Sequence, residues 1–290
     1  MLRLGSLLGC LVVGVGLSSC HTESAPTSGS VGSATKPAAD RVTETAAIQA
    51  EAKAAVATAP VASEVPDPPQ MVILVDDVGF RRDRLARFLA LPLALSFAVI
   101  PGTPHDRSSA ELIRQTGHDL LVHQPMEPEG YPQVDPGPCA LLTTMSEPQI
   151  VATLDQCAGA LRAAIGMNNH MGSAFTASLR GMRVVAGWLA VRQMFFVDSL
   201  TTPDSQAKIA LGAANVPSFV RDVFADNVRD EEAIQERLEK ARTIAQHRGR
   251  ALLLCHPHEV TIKVLASWVL GNRFAPVVVV PVHTWLTGRK

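Results

Sequence analysis

Much that would narrow the function of this 290-residue chain is missing from it. Aromatic residues make up only 4%, with one Tyr, which leaves too little material for a base-stacking platform or a broad sugar-stacking surface. The formal charge is −1 and no stretch gathers Lys and Arg into a stripe, so nucleic acid is not an expected partner. No G-x-G-x-x-G follows the first apolar run, which argues against a dinucleotide-binding open sheet. No internal repeat is present. Of five cysteines, Cys10 and Cys20 lie near the N-terminus. Cys139, Cys157 and Cys255 form an odd set without C-x-x-C spacing, so a thiolate zinc centre is disfavoured and at most one internal disulfide can form. A hydrophobic content of 47% is still ample for one core, drawn mainly from Ala, Val and Leu.

What is present begins with an export signal. Residues 1–20, "MLRLGSLLGCLVVGVGLSSC", place Arg3 before an apolar run too short to span a bilayer comfortably and close on small residues. The ending Leu17-Ser18-Ser19-Cys20 resembles a bacterial lipobox, which predicts cleavage before Cys20 and lipidation of its thiol. An ordinary signal peptide or an uncleaved anchor is the alternative. Residues 21–69 turn to Ala, Thr, Ser, Pro and Glu and read as a disordered tether, too poor in large apolar groups to order itself. The expectation is an exported protein of the cell envelope or periplasm, held at the inner or outer membrane through Cys20, with its folded domain at 70–290.

From Met71 onward, short continuous apolar runs alternate with amphipathic stretches. "MVILV", "ALSFAVI", "DLLVH", "FFVD", "SFV", "ALLLC" and "VVVVPV" predict strands. Helices are predicted over 81–91, over 105–117 closed by Gly117, and over 146–166, where Ser146 and Gln149 have capping-box spacing. Further helices fall around 178–192, 203–213, 231–248 and 259–270. Strands apolar on both faces and separated by helices mean a parallel sheet covered by helices. The predicted fold is α/β: a distorted β/α barrel of about seven parallel strands.

The strand ends carry the chemistry. In "VILVDDVGF", Val72 to Phe80, four apolar residues give way to Asp76 and Asp77. Adjacent carboxylates raise each other's pKa unless something positive lies close by. His123 ends "DLLVH", Asp198 ends "FFVD", His256 follows "ALLLC", and Asn168, Asn169 and His170 follow the apolar segment 165–167. In a β/α barrel these converge on the C-terminal face, where active sites are built. Each has a plain alternative: a His after a strand often bonds a loop, and Asp198 could cap the next helix. Their coincidence predicts a site. Carboxylates and imidazoles without thiolate suit zinc or another divalent metal that keeps a position open for water. One aspartate would hold the metal and the other accept a proton from water, while a His across the pocket protonates the leaving group.

The stretches "LVDDVG" (74–79), "GHDLLVHQPMEP" (117–128), "NNHMGS" (168–173), "FVDSLTTPDS" (196–205), "RDVFADN" (221–227) and "CHPHEVT" (255–261) go further. In that order, and over essentially all of 70–285, the chain resembles the divergent polysaccharide deacetylases of bacterial envelopes. These are distant relatives of carbohydrate esterases that remove N-acetyl groups from chitin-like or peptidoglycan sugars. The resemblance implies Asp76 as catalytic base, Asp77 and His123 as metal ligands, and His256 as general acid. Ordinary deacetylases carry a second metal-binding His four residues after the first, where this chain has Glu127. The third ligand is therefore Glu127 or His170, with His170 favoured because Gly172 permits a sharp turn beside it. A Glu127 that does not bind metal would form a salt bridge, with Arg221 as its candidate partner. Asn169, Asp198 and Arg221 are the candidates for substrate binding, and relatives usually carry Arg where Leu200 stands.

Two functions follow. The first is a metal-dependent hydrolase that removes acetyl groups from an envelope or extracellular glycan, with a divalent metal, zinc foremost, as cofactor. The second is an inactive, envelope-tethered module that binds a glycan or protein on the same fold, a reading suited by Glu127 and by the shortage of aromatics. Metal occupancy together with acetate release separates them. A hydrolase of another bond, such as a phosphoester, is disfavoured because no Arg/Lys cluster accompanies the motifs. The expected partners are the glycan and, through the lipid, a membrane; the sequence names no protein partner.

Overall fold

Side chains two residues apart on the strands sort into two cores, because successive residues of a strand point to opposite faces. Met71, Ile73 and Val75 join a large cluster with the helices, whereas Val72 and Leu74 join a smaller one with Ala98, Leu121, Val197, Leu252 and Leu254. That division is the signature of a curled sheet with an outer, helix-covered face and an inner face packed on itself. The computed structural model describes residues 67–287. The predicted signal, Cys20 and nearly all of the tether lie outside the described residues.

The strands are β1 (Gln70–Val78), β2 (Ser96–Val99), β3 (Asp119–Met126), β4 (Gly166–Met171), β5 (Phe195–Asp198), β6 (Ser218–Val220), β7 (Val223–Phe224) and β8 (Arg250–Cys255). All pair in parallel, in the order β6-β5-β4-β3-β2-β1-β8-β7. The expected distorted barrel is thus a curled half-barrel, open between β6 and β7. The chain itself crosses this opening. The Arg221 N–H donates to the Asp198 carbonyl on one side (3.1 Å), and the next residue, Asp222, donates to the Leu252 carbonyl on the other (2.9 Å).

Two strands exceed the expected seven. β4 contains the polar run Asn168–His170, and β7 is only two residues long. "VVVVPV" closes no barrel: only Val278–Val279 forms a strand, β9, which pairs with the start of β1. Beyond it the C-terminal segment covers the N-terminal ends of the strands. The Val282 N–H donates to Ser96 Oγ (3.0 Å) and Trp285 Nε1 to Gln70 Oε1 (2.9 Å).

The helix Glu147–Cys157 starts as its capping box predicts, with the Ser146 N–H donating to Gln149 Oε1 at 2.8 Å. It ends earlier than expected, in a short 3-10 turn at Ala158–Ala160, and Cys157 is tied to Cys139 by a disulfide. Cys255 is free and buried.

Candidate active site

Strand parity decides which polar residues share a site. Asp76 continues the inner row of Val72 and Leu74, His123 that of Leu121, and His256 that of Leu252 and Leu254. On β4, Asn168 and His170 have the same parity. Asn169 has the parity of Met167, which belongs to the outer core, and Asp198 that of Phe196, also outer. The strict alternation would send Asp77 outward as well. It does not go, because the β1–β2 register shifts between Val75 and Val78 and Asp77 adopts a left-handed φ of 54°. A bulge is what lets two successive carboxylates serve one site.

The resulting cluster joins Asp77, His123 and His170. His123 Nε2 lies 3.2 Å from Asp77 Oδ1, His170 Nδ1 lies 2.9 Å from the same oxygen, and the two nitrogens are 3.2 Å apart. Asp77 Oδ1 is nevertheless buried without a hydrogen bond, since neither ring presents an aligned N–H. The hydrogen bond between the two rings leaves Asp77 Oδ1 unsatisfied, and the three atoms make a good set of ligand atoms. Four-coordinate zinc with ligands at about 2.0–2.1 Å would space them roughly 3.3 Å apart, close to the sides of this triangle. Burial opposes the charge on Asp77, but the two imidazoles outweigh it and hold the carboxyl far below the usual range.

A buried relay sets the tautomer of neutral His123, whose pKa is lowered by burial but raised on balance by Asp76 and Asp77. Asn168 Nδ2 donates to Asp76 Oδ1 at 2.9 Å, so Asn168 Oδ1 is the acceptor for His123 Nδ1–H at 2.8 Å. The neutral imidazole then keeps its lone pair on Nε2, facing Asp77 and His170. Asp76 is 2% exposed. Burial raises its pKa, against the lowering influence of His123, His256 and the Asn168 bond.

His256 stands opposite. Its Nδ1–H donates to Asp226 Oδ1 (2.9 Å), which leaves Nε2 facing Asp77 Oδ2 at 3.8 Å. Asp226 is bonded on both oxygens, the second accepting from the His256 N–H (2.8 Å) and from Thr261 Oγ1 (2.7 Å). Burial would lower the His256 pKa, but Asp226, with Asp76 and Asp77, raises it to about 9. Asp226 was not among the residues singled out from sequence, although "RDVFADN" contains it. His258 sits at the N-cap of the helix Glu259–Leu270, as a helix-start residue.

Three of the residues picked out from sequence lie away from the cluster. Asn169 is 1% exposed, with Oδ1 accepting from the Ser199 N–H (2.9 Å) and Nδ2 donating to the Met171 carbonyl (2.8 Å). Its outward parity makes it a latch between β4 and the loop after β5. Asp198 likewise faces away and ties its own turn, accepting from the Leu200 N–H (2.8 Å) and Ser205 Oγ (2.7 Å). Glu127 lies outside the Asp77–His123–His170 group and makes no ion pair with Arg221 among the described residues. Its carboxylate accepts from the Thr143 N–H, and its carbonyl accepts from Ala174 and Phe175, bracing the long loop after β3. Arg221 donates to the carbonyls of Ser199 (2.8 Å) and Leu200 (3.1 Å) and lines a cavity beside the site.

Comparison with known proteins agrees with this fold. The model of a family described as divergent polysaccharide deacetylase matches residues 73–286. The uncharacterized protein YibQ of Escherichia coli (strain K12) is 33% identical over 200 residues, 69% of this chain and 62% of that protein. The chain therefore spans less than two thirds of that relative's length. An uncharacterized protein of Haemophilus influenzae is 33% identical over 198 residues, 68% of this chain and 70% of its own. Among solved structures, an uncharacterized protein from Agrobacterium tumefaciens C58 has the same fold, with a TM-score of 0.70 at 22% identity over 75% of this chain and 89% of that one.

Proposed function

This chain belongs to the divergent polysaccharide deacetylase family, and from that premise we propose that it is a metal-dependent deacetylase of an envelope glycan. The observation that carries the reading is the Asp77–His123–His170 triangle with its unbonded buried oxygen. His170, from another strand, offers an imidazole in place of the one the sequence pattern lacks at Glu127, which supports the active reading over an inactive module. A divalent metal, zinc foremost, held there supplies a water of lowered pKa and an electrophile for the acetyl carbonyl.

The chain's own groups do the rest. Asp76 accepts the proton of the attacking water; its burial makes it a stronger base than a solvated carboxylate, and Asn168 fixes its orientation. His256, protonated at neutral pH with a pKa of about 9, gives its Nε2 proton to the departing amine or alcohol. Asp226 positions that ring and stabilises its charge. The disulfide Cys139–Cys157 supports a place in an oxidising compartment, consistent with export and a lipid anchor at Cys20. The test is acetate release from N-acetylglucosamine oligomers by the zinc-loaded chain. Release that is lost in Asp76→Asn with metal retained supports the reading; no release by metal-loaded wild type from neutral or acidic oligomers contradicts it.

A further inference from the structure

The open seam of the half-barrel is occupied by a cavity of about 490 Å³ whose walls include Ser199, Leu200, Arg221, Phe224, Arg237 and Lys240. Sequence shows no basic cluster here, yet the fold builds one. Arg237 and Lys240 come from one face of the helix Glu231–Arg248, and Arg221 comes from the segment crossing the seam. The acid in the wall, Asp222, is already engaged: Oδ1 faces Arg248 at 3.3 Å, and Oδ2 accepts the Leu252 N–H at 2.9 Å. Arg237 and Lys240 make no ion pair among the described residues. Arg221 uses Nε and one terminal nitrogen on backbone carbonyls, which fixes its guanidinium and leaves the other terminal nitrogen free to donate. A surplus of positive charge is therefore held in a concave wall of a chain whose formal charge is −1.

The cavity adjoins the proposed acid. The Phe224 ring lies 5.3 Å from the Arg221 guanidinium and 5.0 Å from the His256 ring, so one side chain separates Arg221 from the proton donor. Ser199 joins the two regions on the other wall, accepting from Asn168 Nδ2 at 3.2 Å. Phe224 and Ser199 thus lead from the proposed acid to the seam, where a sugar neighbouring the reacting one has room to lie. We infer that this cavity is a subsite for an acidic group, a carboxylate or a phosphate, on the sugar next to the one deacetylated. The inference rests on the deacetylase reading.

The test is titration calorimetry of the zinc-loaded full chain in an Asp76→Asn background, so that ligands are not consumed. Three tetrasaccharides of N-acetylglucosamine are compared: neutral, bearing lactyl carboxylates on alternate sugars, and bearing 6-phosphates. The expected result is about tenfold tighter binding of an acidic tetramer at low salt, with the ratio falling towards one in Arg237→Ala/Lys240→Ala and in high salt. Whichever acid shows the preference identifies the group. Equal affinity for neutral and acidic tetramers overturns the subsite and leaves the deacetylase reading standing, as does a preference that survives the double substitution. Failure of every tetramer to bind overturns both.

Discussion

Two clusters of one carboxylate and two imidazoles lie within reach of each other in this molecule: Asp77 with His123 and His170, and Asp226 with His256 and His258. By residue type and spacing both could hold a metal. Their hydrogen bonding separates them. Asp226 is bonded on both oxygens, and its partner His256 has Nδ1–H committed to it, so the pair holds a proton in place. Asp77 has a buried oxygen with no aligned donor and faces two ring nitrogens, one of which bears the lone pair whenever the His123 ring is neutral, because Nδ1–H is held by Asn168. The same chemical groups make a candidate cation site or a proton-holding pair according to which lone pairs the surroundings have already engaged.

That contrast is open to attack at several strengths. The largest effect is expected from His256→Ala, which should keep its metal yet lose about 10²–10⁴-fold in deacetylation rate, as removal of a general acid does. Metal content and turnover measured on one preparation check it. Next is the pH dependence of the proton-holding pair in metal-free protein. His256 is raised from 6.5 to about 9, so its stabilising contribution is complete below the lower value, fades as pH rises, and is gone above the upper one. The gap corresponds to about 3 kcal/mol. Denaturant unfolding at about pH 6 and about pH 9.5 should show the loss in the wild type and little of it in Asp226→Asn.

Asn168→Ala should weaken both halves of the metal side at once, freeing Asp76 and the His123 tautomer, with about 10–100-fold losses in metal affinity and rate. Asn169→Ala, one residue away with outward parity, should instead lower thermal stability and leave metal content intact. The smallest effect is expected at Gly172, whose φ of 90° positions the turn after His170 and whose added Cβ would lie 2.7 Å from Met126 Cβ. Gly172→Ala should destabilise by about 1–2 kcal/mol in urea unfolding, from backbone strain and from that close approach.

The sequence discloses the alternation of strands and helices, and with it the parallel sheet and the end of it that carries the site. What it hides has physical causes. Hydropathy cannot distinguish a strand that ends at Val75 from one that continues through a bulge to Val78, so Asp76 and Asp77 read as a tip when they lie inside β1. The polar run Asn168–His170 masks β4 for the same reason. Once β4 is known to be a strand, parity alone pairs Asn168 with His170 and turns Asn169 away. The same parity argument removes Asp198 from the site. Asp226 is less accessible: it follows a two-residue strand, and its role rests on hydrogen bonds to His256, just past the end of β8, that no spacing in the sequence encodes. The basic wall at the seam was hidden because its cations come from a helix and a crossing segment that only the fold brings together.

On the proposed reading, one carboxylate of the two clusters holds metal and the other holds a proton. Elemental analysis of the zinc-loaded wild type beside Asp77→Ala and Asp226→Asn tests it most directly. The account predicts near-stoichiometric metal in wild type and Asp226→Asn, and none in Asp77→Ala. Metal that persists in Asp77→Ala but disappears in Asp226→Asn would contradict it, and would move the metal centre to the other histidine pair.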